Sequence, residues 1–213
     1  MIYDLPSVIN CDRIFNLTCL YGNVQRVKFF DKPSYSCLVE YETPQQVDSA
    51  LEFLENIRIF GAKVQIDRTS VDFDHGREFT LRDGSANFAD FSQNRNNRFL
   101  TTEAASKNRL SKAVKNLHFY NAPSSITLDE LQHISHSFHI MPPIKIRTFK
   151  KTQDKGLPLL QCSKSQRFLV AGLLEYQTVA DSVAALCCLN HFVMKSSKNN
   201  PFTLKLCFAN NQS

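Results

Sequence analysis

The sequence predicts an α+β fold made from two copies of one unit, each running strand–helix–strand–strand–helix–strand. Two observations predict it. The stretch Leu38 to Leu54, LVEYETPQQVDSALEFL, aligns without a gap on Leu173 to Leu189, LLEYQTVADSVAALCCL. Upstream of each lies a short strand with a central aromatic that ends at proline: IYDLP (Ile2 to Pro6) and FYNAP (Phe119 to Pro123). Self-similarity over this length means that each copy is one packing unit. With one helix in each crossover, the order gives a four-stranded antiparallel sheet carrying both helices on one face.

In the first copy, the opening strand leads to Asn10, a good N-cap, and then to Ile14, Leu17, Thr18 and Tyr21 on one helical face, stopped by Gly22. Strand Val24 to Phe30 follows, then the repeated strand and helix, then a last strand from Lys63 to Arg68. In the second copy, Thr127-Leu128-Asp129-Glu130 reads as a capping box ahead of Leu131, Ile134 and Phe138. Strand Ile144 to Phe149, the repeated stretch, and a final strand Thr203 to Phe208 complete it. The predicted domains are residues 1–70 and 115–213. The linker between them, 71–114, is polar and turn-rich yet carries Phe73, Phe79, Phe88, Phe91 and Phe99. A purely flexible tether would lack such residues, so part of it is expected to pack on the modules.

Composition narrows the function classes. A hydrophobic fraction of 43% with 17 phenylalanines supports real cores, and a net charge of +5 permits a polyanionic partner without requiring one. The seven cysteines are odd in number, lack a Cys-x-x-Cys pair and fall mostly in apolar stretches, which reads as buried thiols in an intracellular, reducing compartment. No apolar run has the length of a membrane span. The first residues are already strand-like, so a monomeric fragment of a longer chain is expected. Only six widely spread glycines are present, and no phosphate-cradling loop or Ser/His/Asp grouping can be assembled from them and their neighbours. His133, His136 and His139 fan across more than one helical face, without an acidic or cysteine ligand nearby in sequence. The reading is therefore non-enzymatic, with no cofactor and no metal.

Val39-Glu40-Tyr41 and Leu174-Glu175-Tyr176 fit the close of the longer signature strand of the RNA-recognition motif, and each copy resembles that family. The fold so implied is a pair of tandem, ferredoxin-like RNA-recognition motifs. The signature aromatics are depleted: Ser36 and Leu38, Ala171 and Leu173, and Met1 and His118 stand where aromatics are usual. This depletion is similar to the heterogeneous nuclear ribonucleoprotein L family, in its C-terminal tandem motifs, and to the related polypyrimidine-tract-binding proteins. The likeness is carried by NCDRIFNLTCLYGNVQRVKFF (10–30), DFSQNRNNRF (90–99), LHFYNAP (117–123), LLEY (173–176) and TLKLCF (203–208). The loop 150–166 departs from the family pattern. The resemblance implies binding of single-stranded RNA, CA-rich pre-mRNA elements in particular, in alternative splicing or mRNA processing and stability. It also implies a nuclear location, with shuttling to the cytoplasm, and splicing-factor partners.

Strand alternation assigns the open faces. Tyr3, Lys28, Phe30, Leu38, Lys63 and Gln65 are expected outward in the first copy. His118, Tyr120, Lys145, Arg147, Phe149, Leu173 and Lys205 are their counterparts in the second. Single strands are held by aromatic stacking beside a basic track. Tyr3, Phe30, His118, Tyr120 and Phe149 can stack, the lysines and Arg147 can meet phosphates, and Leu38 and Leu173 offer flat apolar contact. The plainer alternative is that these are ordinary strand aromatics and solvated charges. Lys150, Lys151, Lys155 and Lys164 in the long loop form either a basic lip or a soluble loop.

The helices also carry more apolar surface than one sheet needs. Val179, Val183 and Cys187 form a second stripe, and Phe15, Cys19 and Phe53 lie off the main stripe of the first copy. Left in water they would be an exposed patch. Helix-to-helix packing of the modules, with linker phenylalanines in the seam, is the expected solution. A rival role uses those helical faces to bind peptides of splicing partners.

Overall fold

The computed structural model describes residues 1–31, 35–73, 77–149, 169–194 and 201–209. Its first module comprises β1 (Ile2–Tyr3), α1 (Cys11–Thr18), β2 (Val24–Phe30), β3 (Ser36–Tyr41), α2 (Pro44–Phe53), β4 (Arg58–Ile59), β5 (Ala62–Lys63) and β6 (Gln65–Ile66). The segment between modules adds β7 (Phe88–Asp90) and α3 (Thr102–Lys107). The second module holds β8 (Asn116–Pro123), α4 (Leu128–Ser137), β9 (Lys145–Phe149), β10 (Leu169–Glu175), α5 (Val179–Leu189), β11 (Val193–Met194), β12 (Phe202–Thr203) and β13 (Lys205–Phe208). The second sheet runs β13-β8-β10-β9, and the first runs β6-β1-β3-β2 with β7 added beyond β2. Both pair antiparallel throughout. The two modules therefore share one strand order, as the repeat predicts.

Local chemistry sets the helix starts. Asn10 accepts the Arg13 N–H, Thr43 that of Gln46, Thr127 that of Glu130 and Thr178 that of Asp181. The reciprocal capping box forms at Thr178 and Asp181; among the described contacts Thr127 and Glu130 form only the threonine half. Gly172 is needed in β10 for space. A Cβ there would lie 2.0 Å from the Arg147 carbonyl and 2.6 Å from the Phe119 ring, which crosses this strand.

The helical faces of the two modules meet, with α5 packed on α1 and β4. A single apolar core runs across the junction, including Phe15, Ile59, Val183 and Cys187. Its polar centre is a small network. Asn16 donates to the Cys187 carbonyl at 2.8 Å, and Asn190 donates to the Asn16 carbonyl at 2.7 Å. The Asn190 Oδ1 accepts from the Leu206 N–H at 2.9 Å and from Arg98 at 3.1 Å. Phe91 stacks on Phe15 with ring centres 4.3 Å apart, so a phenylalanine from between the modules does fill the seam.

That intervening segment is stitched to both sides. Asn97 caps Val24 through both its amide atoms, Asn108 donates to the Leu20 carbonyl, and Ser182 donates to the Val114 carbonyl. Of its five phenylalanines, Phe73 and Phe91 are buried, Phe79 and Phe99 half-buried and Phe88 exposed. One of the residues expected at the seam sits in solvent. Val179, the first residue of α5, is exposed. Phe53 stacks on Tyr21 of its own module, while Cys19 lies within 3.8 Å of the Asn190 amide.

Candidate nucleic-acid interface

With the helical faces turned toward the seam, the outer face of each sheet points away from it. The two outer faces are not equivalent.

On the first sheet, the cross-strand pairs Arg26 with Glu40, Lys28 with Leu38 and Phe30 with Ser36 lie outward, opposite the buried Val27, Phe29 and Cys37. That face is closed in its middle. Phe73, beyond the last strand, lies beneath the Arg26 guanidinium, 4.5 Å from the ring centre. Its carbonyl accepts the Lys28 ammonium at 2.7 Å. Lys28 is buried as a result, and Leu38 is only 5% exposed. The expectation that both face solvent is corrected: strand parity placed them on the outer side, but a distant segment folds back over it. Lys63 also departs from expectation. It pairs with Arg58 in the β4–β5 hairpin, beside the sheet, and only Gln65 and Ile66 join the main ladder. Tyr3, opposite Gln65, and Phe30 stay half-buried at the margins, and Phe88, beside Lys28, is exposed. Sequence reasoning left Phe88 off the face because β7 lay in the presumed linker.

The second sheet keeps its face open. Leu173 pairs with His118 on one side and Arg147 on the other, and Lys205 pairs with Tyr120. His118 is the centre of an aromatic cluster, 6.0 Å from the Tyr120 ring and 5.8 Å from Phe149. Phe149, Lys145 and Arg147 are exposed, while His118, Tyr120, Leu173 and Lys205 are half-buried. All seven residues expected on this face lie on it. The basic loop lies outside the described residues.

This face forms the floor of an open groove of about 870 Å³, large even among ligand-sized pockets. Its other wall comes from the segment between the modules, in particular Arg95, Arg98, Lys107 and Arg109. Arg98 is buried; its guanidinium lies 5.7 Å from the Tyr120 ring centre and donates to the Leu206 carbonyl at 2.6 Å. Burial lowers the His118 pKa, which favours the neutral ring. Burial first, and the Arg98 charge second, lower the Lys205 pKa. The linker cations were missed because sequence alternation orders residues along a strand and says nothing of a loop that folds across it.

Comparison with known proteins agrees with this architecture. Residues 1–94 match the model described as RNA recognition motif, and residues 107–213 match that described as RRM domain. The chain belongs to the RNA-recognition-motif family. It is 37% identical over its whole length to heterogeneous nuclear ribonucleoprotein L of Homo sapiens, and equally to that of Mus musculus; this alignment covers 34% of each. The chain thus spans about a third of the length of these relatives. A further relative is polypyrimidine tract-binding protein homolog 3 of Arabidopsis thaliana, 28% identical over 58% of this chain and 27% of that protein.

Proposed function

We propose that the protein binds single-stranded RNA, chiefly on the outer face of its second sheet. The observation that carries this is the His118–Tyr120–Phe149 cluster, which lines the open groove and is flanked by cations on two sides. Bases stack on such a floor while the phosphates meet the charges. The first sheet contributes through Tyr3, Phe30 and Phe88 at its margins, because Phe73 occupies its centre. CA-rich pre-mRNA as the ligand, a nuclear role in alternative splicing or transcript stability, and ribonucleoprotein partners follow from the similarity to heterogeneous nuclear ribonucleoprotein L. The proposed division is 1–70 and 115–213, joined by 71–114.

The peptide-binding reading loses support. Phe15, Val183 and Cys187, whose apolar faces it would use, are buried against the neighbouring module. Titration of the labelled protein with a short CA-repeat RNA over a salt series tests the choice. RNA binding should weaken with a log–log slope of roughly −0.7 for each phosphate contacted. Salt-insensitive binding, or none, overturns the proposal.

A further inference from the structure

Among its described lining residues the groove is charged in one sign only. Among the described residues that line it stand Arg95, Arg98, Lys107, Arg109 and Lys205, and not one carboxylate. Lys107 pairs with Glu103 on α3, but both side chains of that pair are more than 70% exposed, so it is easily exchanged. Arg98 is different. It is only 7% exposed, yet its Nε and Nη1 reach no oxygen acceptor. Its influence falls on the thiols of Cys19 and Cys207, which are weak acceptors. Buried guanidinium groups are normally paired, and an under-satisfied one is costly to hold. Lys205, half-buried beside it, adds a second cation where a first already stands.

We propose that Lys205, with the buried charge of Arg98 beneath it, forms the base of a phosphate seat roofed by Arg95, Lys107 and Arg109, and that an RNA backbone threads between the intermodule segment and the second sheet. An anion there would relieve the repulsion between Arg98 and Lys205. The segment joining the modules is then part of the binding site, and it makes the second module the stronger of the two. This deepens the RNA reading and rests on it for the nature of the anion.

The test uses the double variant Arg95→Ala/Arg109→Ala, both exposed and so harmless to folding, with the CA-repeat RNA and, separately, with tripolyphosphate. The salt slope for RNA should flatten by about 1.4, two contacts' worth. Tripolyphosphate should shift the Arg98 Nε–H resonance and compete with RNA. An unchanged slope, with tripolyphosphate leaving Arg98 unmoved, overturns the seat even if Phe149→Ala still weakens RNA binding. If tripolyphosphate shifts Arg98 but no single strand binds, the anion seat stands and the RNA reading falls.

Discussion

Replacing Asn190 by alanine should uncouple the two modules. This side chain is buried, and four groups depend on it: the Asn16 carbonyl from the first module, the Cys19 thiol, the Leu206 N–H from the last strand and the Arg98 guanidinium from the linking segment. Alanine leaves the Leu206 N–H without a partner, costing about 1–3 kcal/mol when buried, and leaves the Asn16 carbonyl only the weak Cys19 thiol donor. It also removes one of the two oxygen acceptors of a buried cation, whose loss of a partner is of the same kind as breaking a buried pair. These costs overlap through one network, so the sum is set at about 3–5 kcal/mol. The assay is equilibrium denaturation followed by two probes, one in each module. The parent protein should unfold in one transition, because a single core crosses the junction. Asn190→Ala should unfold earlier and in two transitions that no longer coincide. Asn190→Asp, which keeps an oxygen for Arg98 and Leu206, should fall between. A loss below about 1 kcal/mol with coincident transitions would refute the view that this network joins the modules.

Three further outcomes follow from the same structure. Phe149 is half exposed and outside the core, so Phe149→Ala should leave the denaturation midpoint in place and weaken RNA binding by about 1–3 kcal/mol, roughly five- to 150-fold, in fluorescence titration. Phe73→Ala should cost about 3 kcal/mol, the low end for a buried phenylalanine, and open the first sheet. Amide shifts on adding RNA should then reach Leu38 in the variant and not in the parent. His191 donates through Nδ1 to Asn16 while its Nε2 is buried without a partner, and burial pushes its pKa down to about 3. The unfolded chain therefore takes up this proton first, so stability falls as pH drops from about 6.5 toward 3. The contribution lost by pH 4.5 is about 2–3 kcal/mol, read as the smaller acid sensitivity of His191→Gln in denaturant titrations.

Much of this architecture is legible in the sequence because it is written twice. The repeated stretch fixes the strand order, and period-two alternation puts His118, Tyr120, Leu173 and Lys205 on one face with no knowledge of the third dimension. The same rule fails at Lys28 and Leu38 for a definite reason. It reports which side of a sheet a residue faces and not what later folds against that side, and Phe73 lies 35 residues beyond Leu38. Phe88 and Arg98 were illegible for the same cause, since a strand added at the sheet edge and a loop across a groove carry no periodic signature. Excess apolar helix surface did foretell the seam through Val183 and Cys187. It overreached at Val179, which is exposed at the helix start.

The placement of RNA on the second sheet is tested most directly by amide and side-chain chemical shifts with and without the CA-repeat strand. The account predicts the largest shifts at His118, Tyr120, Phe149 and Lys205 and across residues 95–109, with Leu38 silent. Shifts centred on Leu38 and Lys28, or confined to the outer surfaces of α2 and α4, would contradict it.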